Sequence, residues 1–434
     1  MKEKWDDAYR KIVNAWCMYD WGSSAFSTTI ESAVLPVYFG MISEGYLAPN
    51  VATAYWGWGN SLALLLTALL APILGSIADY TGSKKKYLAI FAGMGIVATA
   101  LMFFLNTGDW LMAIILFFFG SVGLGASYVF YDALLPHVAK PEDIDYVSAK
   151  GYALGYLGGG LLLALNILFI MKLPTNNLGY RLSFFSVAIW WAIFTIPLMR
   201  HVPEPPASTE GIAEGTHPVR AGFQRVFETF RHIRRYSELF KFLVAFWLYN
   251  DGIGTIIKMA VKYGDELGIS ALDLIGALLA TQFVGIPFSL AFGKFSKKVG
   301  TKRSIMIGLA WYALITVGGY FMSEGWHFWI LAIAVGMVQG GTQALSRSLF
   351  GAMAPKYRSA EFFGFYDISS KFAGIVGPAL FAILSLAFGQ SRFGILAIGL
   401  FFLGGIYLLT LVDEEKGMRI AEEENRRMEA KLAA

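Results

Sequence analysis

The chain has 434 residues, 56% hydrophobic and 15% charged, with a mean hydropathy of +0.54 and a net charge of +4. Soluble globular chains carry about 25% charged residues, so there is too little polar material here to cover a soluble surface. The lone Cys17 excludes an internal disulfide and a cysteine metal cluster. The small net charge gives no uniform basic surface for nucleic acid. His137, His201, His217, His232 and His327 form no metal spacing, so no metal and no cofactor is expected. The first fifteen residues are polar and the first apolar run lacks a cleavage site, so no signal peptide is expected.

A spanning helix needs about 20 apolar residues. Such runs lie near 13–39, 53–78, 87–105, 110–135, 150–171, 181–199, 239–261, 271–292, 303–322, 327–352, 362–388 and 393–412. The pattern predicts an all-α membrane protein with twelve transmembrane helices. Span one carries Asp20, Ser24, Ser27 and Glu31 on one helical face. Span four carries Ser121, Gly125, Tyr128 and Asp132 on one stripe, and span five Gly151, Gly155 and Gly158 to Gly160 as a close-packing surface. Span seven presents Asn250, then Asp251, Thr255 and Lys258 on one face. Span ten presents Gln339, Gln343 and Arg347 at i, i+4, i+8. Asp367 and Lys371 in span eleven read as a self-neutralising i, i+4 pair, followed by Gly374, Gly377 and Pro378. Trp56, Trp58, Trp110 and Trp326 read as interfacial anchors.

With the N-terminus in the cytoplasm, the inner segments hold 28 of the 35 Lys and Arg residues and the outer loops four, while Lys258, Arg347 and Lys371 lie inside spans. This asymmetry predicts an integral multi-pass protein of the cell (inner) membrane with both termini cytoplasmic. The expected divisions are a six-helix bundle over 1–200, a cytoplasmic linker over 201–238, a second six-helix bundle over 239–412 and a charged tail over 413–434. In the linker, Phe223, Phe227, Phe230 and Ile233 repeat at helical spacing among Arg220, Arg225, Arg231, Arg234 and Arg235. A basic amphipathic helix from Val219 to Tyr236 is expected, lying on the anionic inner leaflet.

The halves repeat. Gly75-Ser-Ile-Ala-Asp79-Tyr-Thr-Gly82-Ser-Lys84-Lys85-Lys86 after span two is echoed by Gly293-Lys-Phe-Ser-Lys297-Lys-Val-Gly300-Thr-Lys302-Arg303 after span eight, 218 residues on. Pro136 and Pro355, Gly155 and Gly374, and Gly158 and Gly377 align at 219. Tyr19-Asp20 and Tyr249-Asn250-Asp251 align at 230 or 231, which sets Asp20 against Asp251 as counterparts. Such parallel repeats characterise many transporters. The first loop stretch resembles the loop motif of the major facilitator superfamily. Gly75 and Gly82 permit close contact and a sharp turn, Asp79 can pair across the loop or cap a neighbouring helix, and the lysines hold the loop at the membrane surface. In the second copy Lys297 stands where the acid would be, so no matching ion pair is expected there.

Ala15-Trp-Cys-Met-Tyr19-Asp20-Trp21-Gly-Ser-Ser, Pro36-Val-Tyr-Phe39 and Leu248-Tyr-Asn-Asp251-Gly252-Ile-Gly-Thr255-Ile resemble the vacuole-effluxer-like group of that superfamily. The resemblance implies two pseudo-symmetric six-helix bundles, a cavity lined by spans one, four, seven and ten, and transport, associated in eukaryotes with amino-acid efflux. The similar sugar–cation symporters place an acid before the span-two proline, where this chain has Ala71 before Pro72.

The expected function is a secondary transporter, not an enzyme, moving a small polar or zwitterionic solute such as an amino acid by rocker-switch alternating access. No Walker motif is present, and no histidine lies inside a cavity span to serve a lipid-acting enzyme, His327 standing only at the edge of span ten. Protons are the candidate coupling ion through Asp20, Glu31 or Asp251. A lipid or lysolipid flippase and a sugar–cation symporter are the alternatives. The remaining expected partners are membrane lipids, and the expected state is a monomer. Asp20 or Asp132 with Arg347 is the natural pair to lock one state. Candidate cavity residues are Asp20, Ser24, Glu31, Tyr128, Asp132, Asn250, Asp251, Lys258, Gln339, Gln343 and Arg347. Candidate conformational residues are Gly75, Asp79, Gly82, Lys84, Lys85, Gly293, Gly300, Lys302 and Arg303.

Overall fold

The computed structural model describes residues 5–209, 212, 216–232, 234–374 and 376–433; Lys2, Lys4 and Ile233 lie outside them. Span one is α1 (Asp7–Ala25), a π-helical stretch (Phe26–Ala33) and α2 (Val34–Ser43). Spans two to six are α3 (Pro49–Thr81), α4 (Lys84–Leu101), α5 (Trp110–Val138), α6 (Ile144–Lys172) and α7 (Leu178–His201). Helix α8 (Pro218–Arg231) follows. Spans seven to ten are α9 (Ser237–Glu266), α10 (Ala271–Val299), α11 (Thr301–Tyr320) and α12 (Gly325–Met353). Span eleven is broken into α13 (Ser359–Phe372) and α14 (Val376–Phe388), span twelve is α15 (Ser391–Thr410), and the tail forms α16 (Glu414–Ala433). The break in span eleven falls at Gly374, whose φ of 89° suits glycine alone.

Among the described residues, ten helical segments are long and apolar enough to cross a membrane. The other two spans, α9 and α11, match them in length, with 30 and 20 residues. They fall short in apolarity because α9 carries Lys241, Asn250, Asp251 and Lys258, and α11 opens on Lys302 and Arg303.

The repeat is visible in bonds. Tyr19 Oη donates to Ser127 Oγ at 2.6 Å, and Tyr249 Oη pairs with Ser346 Oγ at 2.6 Å. Ser127 and Ser346 are 219 residues apart and the tyrosines 230. Gly158 packs on Trp21 as Gly377 packs on the Asp251–Thr255 turn. This register sets Asp20 against Asn250 and Trp21 against Asp251. Asp20 and Asp251 are therefore not counterparts, and the alignment by aromatic-acidic step was one residue out.

The halves meet at the end of the bundle that carries the 82–84 and 299–301 turns. A Cβ at Gly75 would sit inside the Ala360 carbonyl, and one at Gly364 would meet Pro72, so α3 and α13 cross backbone to backbone. On the other side of the bundle Gly293 lies against Ala149 and Tyr146 of α6. Small residues at these crossings are what membrane helix packing uses in place of hydrophobic drive.

Candidate transport site

Arg347, on α12, is 2% exposed and points across the midline into the first half. Its Nη1 donates to Asp132 Oδ1 at 2.9 Å and to Asp20 Oδ2 at 3.5 Å. Its Nε and Nη2 donate to Ser148 Oγ and Ser148 O, at 2.9 and 3.0 Å. The guanidinium lies 5.0, 5.6 and 4.6 Å from the rings of Trp16, Tyr131 and Tyr152. Asp20 also accepts from Tyr131 Oη at 2.7 Å and from Tyr128 Oη at 3.2 Å. A buried charge is tolerable only when paired and hydrogen-bonded, and here every partner of Arg347 is contributed by the opposite half. Gly151 is what lets this happen: a Cβ there would meet both Asp20 Oδ2 and Arg347 Nη2.

A second polar group lies among spans one, four, seven and eleven. Glu31 sits in the π-helical stretch, near Ser27 and Ser121 and in the field of Lys371 and Lys258, and Ser121 Oγ is buried without a hydrogen-bond partner. Isolated π-turns concentrate at functional sites. Lys371 Nζ is 3.6 Å from Asp367 Oδ1 and borders the bare face of Gly125 on α5. Asp367 keeps its other oxygen, Oδ2, buried without a hydrogen-bond partner. Lys258 is exposed, with its Nζ against Gly374. The Asp251 carboxylate serves as a helix cap near it: it accepts from the N–H groups of Gly374 and Gly377 at 2.5 and 3.0 Å and caps α14. Capping satisfies donors a helix start leaves open. Ser24 packs into the space left by Gly155, Gln339 reaches Tyr156, and Asn250 and Gln343 are half-buried.

At the closed end, Asp79 is fully buried and does both things its motif position allows. It pairs with Lys84 Nζ at 2.6 Å, and it accepts from the N–H groups of Ala360 and Glu361 at 3.2 and 2.8 Å, capping α13 of the other half. Lys84 is therefore buried, not spread on the membrane surface as the sequence suggested. Gly82 closes α3 in the left-handed region at φ 59°. Lys85 Nζ donates to Val202 O at 2.6 Å, ending span six, as Lys302 Nζ donates to Val412 O at 2.7 Å, ending span twelve. Arg303 opens α11 beside Lys302. The second copy does have an ion pair, with its signs exchanged. Lys297 Nζ meets Asp143 Oδ1 at 2.7 Å, and Thr301 and Ser348 donate to Asp145 at 2.7 and 2.5 Å. The acid lies at the start of span five rather than the end of span eight.

The family model described as vacuole effluxer Atg22 like matches residues 51–422. The chain belongs to this Atg22-like family. It is 37% identical over 424 residues to the MFS-type transporter YxiO of Bacillus subtilis (strain 168), covering 96% of this chain and 98% of that protein. It is 25% identical to Autophagy-related protein 22 of Coccidioides immitis (strain RS), over 84% of this chain and 73% of that protein. Among solved structures it resembles the E. coli fucose:proton symporter FucP at a TM-score of 0.72 and 11% identity, covering 93% and 98% of the two chains. The proton:xylose symporter XylE follows at 0.70 and 15%, covering 94% and 96%. These likenesses fix the major facilitator fold. This Atg22-like chain is thus an integral multi-pass membrane transporter and not an enzyme.

The geometry also brings forward residues the sequence reading passed over. Ser148, Tyr131, Tyr152 and Trp16 complete the Arg347 site, and Lys371 joins the second polar group instead of merely neutralising Asp367. Ser148 carried a signal: it lies 219 residues before Asp367, the repeat offset, on the same face as the span-five glycines.

Proposed function

We propose that this Atg22-like transporter is a secondary transporter of a small polar or zwitterionic solute, of which amino acids are the leading class, working by rocker-switch alternating access with proton coupling. The observation that carries the reading is the Arg347 cluster, where one cation from the second half serves two acids of the first. Ionised, the cluster has one negative charge in excess, which a single proton neutralises. Opening the closed end separates Arg347 from Asp20 and Asp132, and the acids then exchange partners with protons or water. With Lys371 facing Asp367, Glu31 and Lys258 leave one carboxylate and one ammonium group, the complement of an amino acid's own charges. A flippase would be served by an apolar lateral path; charges at membrane depth favour a polar cargo instead. The proposed divisions remain two bundles over 1–200 and 239–412, joined by 201–238, with both termini cytoplasmic in the inner membrane.

The test is a thermal-shift screen of the purified protein against amino acids, peptides, sugars and lysolipids. A ligand at about 100 times its Kd stabilises the folded state by about 2.7 kcal/mol. An amino acid or similar zwitterion is expected to raise Tm, and Glu31→Gln and Lys258→Gln to abolish that shift. A shift with lysolipid alone would support the flippase instead.

A further inference from the structure

Helix α8 has two working faces. One is packed: Ala221, Arg225 and Thr229 are buried, and a Cβ on Gly222 would strike Ile77 and meet the Ile73 carbonyl of α3. The other is bare: Val219, Phe223 and Phe227, spaced at i, i+4, i+8, are 48%, 55% and 71% exposed. Exposed Arg220 and Arg231 flank this stripe. Its depth follows from what it touches. Ile77 and Ile73 lie four and eight residues inside the end of α3, about 6 and 12 Å at 1.5 Å per residue. A helix at that level beside a membrane span, apolar outward and basic at its flanks, fits the boundary between headgroups and acyl chains.

The packed face leads to the closed end. The segment before α8 lies over the loop motif: Glu204 accepts from Lys85 N–H, and Ser208 N–H donates to Asp79 O. Arg225 Nη2 donates to Ser208 Oγ at 3.0 Å. Thr229 Oγ1 donates to Glu361 Oε1 at 2.5 Å and accepts from Arg358 Nη2 at 2.5 Å. Glu361 is the residue whose N–H caps onto Asp79. One short helix therefore touches span two of the first half and the start of span eleven of the second.

We propose that α8 is a receptor for anionic lipid headgroups that holds the closed end shut. Phe223 and Phe227 enter the interface, Arg220 and Arg231 take lipid phosphates, and Thr229 transmits the docking to the Asp79–Glu361 contact. The occupant is the bilayer's own anionic surface, selected by the arginines beside the apolar stripe. The proposal does not depend on which solute is carried.

Because Cys17 is the only cysteine and is buried, a Cys17→Ala chain carrying Phe227→Cys accepts one environment-sensitive fluorophore. The full chain is reconstituted in phosphatidylcholine vesicles with and without phosphatidylglycerol. Spin-labelled lipid is expected to quench the probe, and iodide not, with quenching stronger when phosphatidylglycerol is present. Arg220→Gln and Arg231→Gln should each weaken that lipid dependence roughly fivefold. Hydrogen exchange at Ala360 and Glu361 should slow when phosphatidylglycerol is added. Phe223→Ser/Phe227→Ser and Thr229→Val should each remove the slowing, the latter with quenching intact. Quenching by iodide, by neither agent, or equally in neutral vesicles would overturn the proposal, as would exchange indifferent to lipid.

Discussion

Arg347 is a buried guanidinium held by Asp20, Asp132 and Ser148 at once. Its removal leaves Asp20 and Asp132 facing each other in a buried site, and breaking such a pair typically costs about 3–5 kcal/mol. Arg347→Gln is therefore expected to lower Tm sharply in detergent. Asp132→Asn added to it should recover part of the loss by removing one stranded charge, and an unchanged Tm in the double variant would contradict this. Arg347→Lys keeps the charge but cannot reach Ser148, Asp132 and Asp20 together, since lysine lacks the planar fork. It should fold and transport poorly. At this scale the sequence was partly legible. Polar residues repeating at helical spacing in apolar spans marked Asp20, Asp132 and Arg347, and their charges suggested the pairing. The aromatic walls were hidden because tyrosine and tryptophan are ordinary in such helices, and Ser148 was marked only by its place at the repeat offset from Asp367. Asp251 misled because a helix cap and a free cavity acid look alike until the break at Gly374 is seen.

The crossing helices leave no room at the closed end for a larger side chain. Gly75 stands where α3 meets the Ala360 carbonyl, so Gly75→Ala should prevent full closure and cut transport more than tenfold, while ligand affinity stays within a few-fold. Asp79→Asn should act alike by weakening the cap on α13, a contact of about 1 kcal/mol before loss of the Lys84 pair. Loss of affinity with normal cycling in either variant would argue against a gating role. The charge-exchanged contact allows a sharper test. Lys297→Glu sets two acids against each other and should depress transport, and Asp143→Lys in the same chain should restore it. No restoration would mean that the Lys297–Asp143 pair is incidental. The loop motif made Asp79 readable from sequence. Lys297 was misread because its partner lies 154 residues away, and only the fold brings it there. Helix α8 was foreseen from its arginines and phenylalanines, but it ends at Arg231 and not at Tyr236, and residues 234–236 form a turn. That Arg225 would be buried inside the bundle could not be, because its spacing fits the basic face equally well.

On the scale of the whole molecule, twelve spans and their doubling followed from apolar run lengths and the 218–219 offset, because a membrane leaves the chain few alternatives to apolar helices of fixed length. The carrying face was less visible, since the halves must be docked before any residue faces another. Docked, they place a cation of one half between two acids of the other, beside the closed end. The central claim is that separating this cluster couples protons to solute. It is tested most directly in proteoliposomes by comparing proton-gradient-driven accumulation with solute counterflow, which needs no net proton movement, for the parent chain and for Asp20→Asn and Asp132→Asn. We expect at least one of the two variants to lose accumulation by tenfold or more while keeping counterflow near the parent rate. Accumulation retained in both, with an unchanged pH dependence, would contradict the account and leave Glu31 as the acid to examine.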